Sequence, residues 1–212
     1  MTKGKTMNPK KLALATAVLA ACGLAQAQSA AGESPWLVRA RVVNIDPVNK
    51  SDPIGGAGPA DQIGVSSKAI PEVDVSYFFT RNIAAELILT YPQKHDVTLA
   101  GAPIGSFKHL PPTLTLQYHF MPEKQLSPYL GAGLNYTRIS SVNLAAGAVT
   151  LEKSSTGLAL QAGVDYKIDR HWSLNLDVKK VQLRTDVFAA GAKVSNLKLD
   201  PLLVAVGVGY RF

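Results

Sequence analysis

The chain has 212 residues, 47% of them hydrophobic, and its 22 Lys and Arg against 15 Asp and Glu give a formal charge of +7. Lys3, Lys5, Lys10 and Lys11 belong to an amino-terminal leader, and without them 18 basic residues face 15 acidic ones, a net charge of +3 that argues against a nucleic-acid partner. The single cysteine, Cys22, lies in the same leader, so disulfide and thiol chemistry are excluded from the rest of the chain.

Residues 1–27 have the pattern of a secretory signal peptide. The lysines precede an apolar run, 12–24, and Ala25-Gln26-Ala27 follows as a small-x-small cleavage site. We expect cleavage after Ala27 and a mature domain over 28–212. The alternative is a lipobox, Leu19-Ala-Ala-Cys22, in which Cys22 is lipidated.

Eight segments of the mature chain alternate apolar and polar residues with the period of two that is typical of β-strands. They cover residues 35–47, 70–80, 83–92, 113–120, 128–139, 157–168, 172 to about 184, and 201–212. Short turns alternate with long connections, which are residues 48–69, 93–112, 140–156 and 185–200. This spacing predicts an all-β fold, an 8-stranded antiparallel transmembrane β-barrel with short periplasmic turns and long extracellular loops in a bacterial outer membrane.

The last segment carries the strongest signal for a membrane barrel. Val204, Val206, Val208, Tyr210 and Phe212 share one face, which suits lipid and an interfacial aromatic girdle. We expect the carboxyl-terminal Tyr210 and Phe212 to serve membrane assembly by the barrel-assembly machinery.

The opposite faces of these strands place charged residues in the lumen. The predicted set of lumen charges is Arg39, Arg41, Asp74, Glu86, Asp165, Lys167, Asp177 and Lys179. Buried charges persist when they are paired, and side chains can fill the interior of an 8-stranded barrel. We therefore predict a plugged lower lumen and exclude a water-filled porin, which needs about sixteen strands.

Above this plug the inward positions of the seventh strand become apolar, at Val181 and Leu183. The connections nearby, 97–104 and 142–149, are also rich in Ala, Gly, Leu and Val. This pattern predicts an outward-facing apolar cup suited to a small hydrophobic compound. The alternative is a β-bulge that reverses the register and leaves Val181 and Leu183 in the wall.

Five motifs occur in order along the mature chain: His109-Leu-Pro-Pro-Thr-Leu114, Pro128-Tyr-Leu-Gly-Ala-Gly-Leu-Asn-Tyr-Thr137, Gly163-Val-Asp-Tyr-Lys-Ile-Asp-Arg-His-Trp172, Leu199-Asp-Pro201 and Gly209-Tyr-Arg-Phe212. Together they resemble the OmpW family of outer-membrane proteins. The resemblance implies a hydrophobic channel that is open to the outside, closed toward the periplasm, and releases small hydrophobic molecules laterally into the membrane. It also implies a link to stress responses and to bacteriocin reception. Thr156 stands where the family often narrows the channel with an aromatic, which makes Thr156 a further lumen candidate.

The other polar and aromatic residues show no catalytic or metal-binding spacing. The four histidines lack ligand spacing, and we interpret His109 and His171 as interfacial or loop residues and His119 as a lumen hydrogen-bonding group. We assign the following aromatics to membrane girdles: Tyr77, Tyr118, Tyr129, Tyr136 and Trp172. We therefore expect no cofactor, no metal and no enzymatic activity.

Three functions are consistent with the sequence. The first is passive uptake or binding of small hydrophobic molecules. The second is a sealed interaction barrel whose outer lysines, Lys50, Lys68, Lys94 and Lys108, contact lipopolysaccharide phosphates. The third is a membrane-embedded hydrolase or acyltransferase, which has no paired nucleophile and base to support it.

Overall fold

The computed structural model describes residues 34–212, and the expected signal peptide, with its lipobox alternative, lies outside them. The strands of the described part are, in chain order, β1 (Trp36–Asp46), β2 (Lys50–Ser51), β3 (Ile63–Val65), β4 (Lys68–Phe78), β5 (Ile83–Leu89), β6 (Gln93–Leu99), β7 (Ala102–Leu110), β8 (Thr113–His119), β9 (Leu126–Leu144), β10 (Val149–Leu151), β11 (Ser154–Lys167), β12 (Trp172–Val181), β13 (Arg184–Ala189), β14 (Ala192–Lys198) and β15 (Leu202–Arg211). Short 3-10 turns occur at Ile54–Gly56 and Ala145–Gly147. Across residues 34–212, no helix combines the length and apolarity needed to span a membrane.

Eight strands close into an antiparallel barrel. Their order around the ring is β1, β4, β5, β8, β9, β11, β12 and β15. The ring closes between β15 and β1, which pair from Leu37↔Arg211 to Asp46↔Leu202. Closure leaves the ring without a free sheet edge, as a membrane requires. The predicted fold class is therefore confirmed.

The two ends of the barrel are built differently. At the end called lower here, β4–β5, β8–β9 and β11–β12 are joined by the short segments 79–82, 120–125 and 168–171. At the upper end, β9 extends above the ring. This strand is 19 residues long and ends at Leu144, past the predicted end at residue 139. The upper connections contain seven further strands, β2, β3, β6, β7, β10, β13 and β14, which extend the wall upward.

The extra strands correct the expectation that these connections are plain loops. The β6–β7 hairpin turns at Ala100-Gly101 with φ values of 49° and 82°, and the β13–β14 hairpin turns at Ala190-Gly191 with 49° and 80°. Two consecutive residues with positive φ match the twist of a two-residue hairpin. Asn-Gly is the common signal for this turn, and its absence concealed both hairpins in the sequence.

Glycines on the inner face of β15 make room for the first strand's arginines. Gly207 is in register with Arg41, and Gly209 with Arg39. A Cβ on Gly207 would lie 2.1 Å from the carbonyl oxygen of Ala40 and 2.7 Å from Cγ of Arg41. The two strands that close the barrel therefore approach each other only because position 207 has no side chain.

Candidate functional site

The lower half of the lumen is filled by an ion-pair network that begins at Arg39. This fully buried guanidinium lies 2.8 Å from a carboxylate oxygen of Asp165 and 3.2 Å from one of Asp74. It also donates a 3.0 Å hydrogen bond to the hydroxyl of Ser76. Arg39 thus connects β1 to β4, its neighbour, and to β11 on the far side of the lumen.

Arg41, two residues along the same strand, holds the next layer. Its Nη2 is 2.7 Å from Glu86 and 3.0 Å from Glu72. Lys179 completes this layer at 3.2 Å from Glu72 and 2.9 Å from Asp177. We refer to Arg39, Arg41, Lys179, Glu72, Asp74, Glu86, Asp165 and Asp177 as the ion-pair plug.

Neutral side chains add further hydrogen bonds to the plug. Three cations face five carboxylates there, so some carboxylate oxygens depend on uncharged donors. Nε2 of Gln161 donates to Glu86 at 2.8 Å and to Asp177 at 2.7 Å, and the hydroxyl of Tyr129 donates to Asp177 at 2.8 Å. Because these groups are packed from wall to wall, the plug obstructs the lower lumen.

The lumen changes character directly above the plug. A cavity that we call the floor cavity has Glu72 and Lys179 at its base. Its walls combine apolar side chains, those of Ile45, Ile70, Ile88, Val181, Leu183 and Leu203, with the hydroxyl and amide groups of Thr90, Thr113, Asn135 and Thr137. Val181 and Leu183 are buried, with 6% and 4% of their surfaces exposed. The alternation continues through the end of β12, since Gln182 between them is exposed. Both residues are therefore buried and line the floor cavity.

A second cavity lies farther up, inside the extended wall. This histidine cavity is lined by Ile45, Pro47, Val65, His95, Phe107, His109, Leu183, Leu199 and Pro201. Ile45, His109, Leu183 and Pro201 line both cavities and so mark the boundary between them. An apolar cluster that includes Val97, Leu144 and Leu197 faces the interior of the projecting strands. The upper lumen is thus largely apolar with a few uncharged polar groups, and the lower lumen is charged.

A closed 8-stranded barrel with this division resembles known outer-membrane proteins across its length. The model of the OmpW family matches residues 31–212. The chain belongs to the OmpW family. It is an outer-membrane β-barrel whose apolar outer face contacts the lipid bilayer.

Individual relatives agree with this assignment. The chain is 45% identical to an uncharacterized outer-membrane protein, y4mB, of Sinorhizobium fredii, over 86% of this chain and 82% of that protein. It is 32% identical to Outer membrane protein W of Vibrio cholerae, over 85% of this chain and 89% of that protein. It is 29% identical to the dibenzothiophene metabolism operon protein PahQ of Pseudomonas aeruginosa, over 86% of this chain and 90% of that protein. Among solved structures, OprG from Pseudomonas aeruginosa superposes with a TM-score of 0.75 at 27% identity, over 85% of this chain and 97% of OprG.

The structure contradicts the predicted position of Thr156. This residue is exposed on the outer face, in register with the exposed Tyr136, so its assignment to the lumen is wrong. Thr156 lies two and four residues before Leu158 and Leu160, which are outward residues of the same strand. Because alternate residues of a strand share a face, the alternation alone indicates that Thr156 faces outward. In this structure the channel is not narrowed at position 156.

Three further residues lie elsewhere than the sequence indicated. Lys167 lies at the lower rim and donates to the carbonyl oxygen of Pro122, so it is not a member of the plug. Tyr129, assigned to a girdle, is 1% exposed inside the lumen. Glu72 was missed, although it shares the parity of Asp74, because the predicted inward face began at Asp74.

The membrane girdles otherwise form as expected at the periplasmic end. Tyr210 packs edge-to-face against Trp172, with ring centroids 5.0 Å apart, and against Phe212 at 5.1 Å. Trp36 and Tyr77 make a similar pair at 4.9 Å. Such rings anchor a barrel at the headgroup level of the bilayer.

The histidines fall into two kinds. His171 is exposed and His119 is a buried lumen residue that hydrogen-bonds to Oε1 of Gln117 at 3.2 Å, as interpreted from the sequence. His109 is different, because it is buried on the inner face of β7 and stacks on His95 with ring centroids 4.8 Å apart. Its assignment to an interface or loop is therefore wrong. Burial, reinforced by His95 and Lys68, lowers the pKa of His109 from 6.5 to about 3, and burial also lowers the pKa of His95.

The barrel wall is interrupted beside the floor cavity. Pairing of β5 with β8 stops at Ile88↔Thr113, and pairing of β6 with β7 starts at Gln93↔His109. The intervening segments 89–92 and 110–112 contain Pro92, Pro111 and Pro112, whose nitrogens cannot donate to a ladder. Thr90 and Pro111, from the two sides of this interruption, both line the floor cavity. We call this place the wall window.

Proposed function

We propose that this OmpW-family barrel takes up or binds small hydrophobic molecules from the extracellular side. The observation that carries the proposal is the apolar lumen formed by the floor and histidine cavities above a fully packed ion-pair plug. An apolar solute gains free energy by entering such a lumen, whereas a hydrated ion loses its water there. The name of the relative PahQ, which refers to an operon for dibenzothiophene metabolism, associates that relative with an apolar aromatic compound.

Lateral exit into the outer membrane completes the proposed route. The plug obstructs movement toward the periplasm, while the wall window adjoins the floor cavity through Thr90 and Pro111. The segments on either side of the window are not joined by backbone pairing, so their separation breaks no ladder hydrogen bonds. An apolar solute that passes between them enters the hydrocarbon of the bilayer.

The test is flux of an apolar fluorescent probe into liposomes that contain the refolded mature protein. We expect Val181→Asp or Leu183→Asp to reduce flux, because each places a carboxylate on the apolar wall of the floor cavity. Gln182→Asp is the matched control, since it adds the same charge at the exposed position between them. Each variant is first checked for the heat-modifiable migration of a folded barrel. Unchanged flux in both lumen variants would reject the uptake proposal.

A second candidate function is contact with lipopolysaccharide through the outer wall. Lys94 and Lys108 are directly opposite each other on β6 and β7 and both are exposed, and Nζ of Lys68 reaches the carbonyl of Lys94 at 3.4 Å. Like charges on paired positions are unfavourable unless an anion lies between them, and lipid phosphates are such anions. Lys94→Gln with Lys108→Gln should then lower lipopolysaccharide binding without altering probe flux.

The last strand supports a proposed role in assembly. The backbone of Phe212 forms two hydrogen bonds with the start of the first strand. Its nitrogen donates to the carbonyl oxygen of Trp36 at 3.2 Å, and its carbonyl oxygen accepts from the nitrogen of Ser34 at 3.0 Å. Phe212 as a whole is 59% exposed, so it is accessible to a partner. We propose that the barrel-assembly machinery recognises Tyr210 and Phe212, and Phe212→Ala should slow insertion into membranes that contain this machinery.

A further inference from the structure

His95 and His109 bring polar atoms into a cavity that is otherwise apolar. They face inward from neighbouring strands of the β6–β7 hairpin and are 1% and 6% exposed. Every other residue that lines the histidine cavity, including Val65 and Leu199, is apolar. A binding site of this composition takes orientation and specificity from its few polar groups.

The hydrogen bonding of His95 defines the chemistry of its free nitrogen. Nδ1 of His95 is 2.7 Å from the carbonyl oxygen of Ser66. A carbonyl oxygen can only accept, so Nδ1 carries the proton, and Nε2 of the neutral ring is an acceptor. Within residues 34–212, this Nε2 has no hydrogen-bond partner, and neither does Nδ1 of His109. A buried polar atom in this condition is stabilised when a ligand completes its hydrogen bond.

His109 offers the complementary function. A neutral imidazole has one donor and one acceptor nitrogen, and in the described chain its ring makes only stacking contacts, with His95 and Phe107. Burial lowers the pKa of both rings and keeps them neutral at pH 7. Lys68 further disfavours their protonation, while at His95 the hydrogen bond to Ser66 and, less strongly, the carboxylate of Asp96 partly offset this. The pair therefore presents an acceptor and a donor but no charge, which matches a group that both donates and accepts one hydrogen bond.

We propose that the histidine cavity selects apolar molecules that carry a hydroxyl group, namely alcohols and phenols. The hydroxyl donates to Nε2 of His95 and accepts from the protonated nitrogen of His109, while the hydrocarbon part lies against Ile45, Val65 and Leu183. A carboxylate does not suit the site, because it lacks a proton for His95. This inference rests on the proposed function and names the chemical class that the same lumen prefers.

The experiment compares 2-naphthol with naphthalene, which share a ring system and differ by the hydroxyl. Binding and flux are measured by fluorescence with the full mature protein in liposomes, and each value is referred to protein-free liposomes to remove the difference in partition. We expect 2-naphthol to bind roughly tenfold more tightly, the size of one satisfied buried hydrogen bond. His95→Phe keeps the ring and its stacking but removes the acceptor, and it should abolish this preference while naphthalene binding is retained. Gln182→Asn, at an exposed position beside the lining residue Leu183, should leave the preference unchanged.

The outcomes separate this inference from the proposed function. If neither compound binds or crosses, the uptake proposal fails. If both bind equally to the unaltered protein, or if His95→Phe retains the preference, the hydroxyl site is rejected while uptake stands. Should His95→Phe lack heat-modifiable folding, His109→Phe is measured in its place, and an undiminished preference in that variant rejects the site equally.

Discussion

Nη2 of Arg41 lies 2.7 Å from Oε1 of Glu86, and both side chains are fully buried. The two residues belong to β1 and β5, which are separated in the ring by β4. The ion pair therefore ties together strands that share no backbone hydrogen bonds. Asp74 contacts both Arg39 and Arg41, and Glu72 contacts both Arg41 and Lys179, so the lower lumen is one connected structure.

Removing Arg41 should destabilise the barrel strongly. In Arg41→Met, the carboxylates of Glu86 and Glu72 lose their nearest guanidinium in a buried site, which we expect to lower the free energy of unfolding by about 3–5 kcal/mol. Urea unfolding in lipid vesicles measures this change, with Lys180→Met, an exposed position, as the control. The double variant Arg41→Met/Glu86→Gln should lose less than the sum of its single variants. Strict additivity would show that the pair is not coupled.

Enlarging Gly207 should impair barrel closure. In Gly207→Ala the new methyl group meets the carbonyl oxygen of Ala40, so β1 and β15 must separate at that point. We expect a loss of about 1–3 kcal/mol in unfolding free energy and slower folding into vesicles. Val206→Ala removes an exposed side chain from the outer face of the same strand and serves as the control. Equal folding of both variants would contradict the close approach.

Emptying the lower plug should open a path for ions. Arg39 lies over the ring of Tyr129, with its guanidinium carbon 5.5 Å from the ring centroid, and both are fully buried. We expect small, rare single-channel currents from the unaltered protein in planar bilayers and larger, persistent currents from Arg39→Ser/Tyr129→Ser. If the double variant folds and conducts no better, some other part of the barrel closes the lumen.

Acid should loosen the extracellular hairpin that carries the two histidines. The native pKa of His109 is about 3 against an ordinary 6.5, so the opened hairpin binds more protons between these values. The stability that depends on neutral His109 is complete above pH 6.5 and declines as pH falls toward 3. Hydrogen exchange of the amides of Gln93–Leu99, corrected for its intrinsic pH dependence, should show decreasing protection on acidification, and less decrease in His109→Phe.

Position 156 should not control uptake. Thr156 is on the outer face, so Thr156→Trp adds an aromatic ring to the surface next to Tyr136 and leaves the lumen unaltered. We expect unchanged probe flux in liposomes. A clear reduction in flux would indicate that this residue turns toward the channel when solutes pass.

The period of two was sufficient to derive the architecture from the sequence. It placed Arg39, Arg41 and Asp74 inside and Val204, Val206 and Val208 outside, and it continued correctly through Val181 and Leu183. The β6–β7 and β13–β14 hairpins were not predicted, because their turns are Ala-Gly and lack the Asn-Gly or Asp-Gly that usually marks such turns. The predicted position of Thr156 was wrong because it followed the family resemblance, whereas the alternation of its own strand places this residue on the outer face.

The sequence by itself determined which face of each strand meets lipid, because alternation is a local property of an extended backbone. It also determined that the charges of the lower lumen must be paired. Only the tertiary structure decided which charges meet, left Lys167 at the rim, and brought His95 onto His109. Contacts across a lumen depend on the stagger between strands and on the closure of the ring, and neither quantity is encoded in the pattern of any single strand.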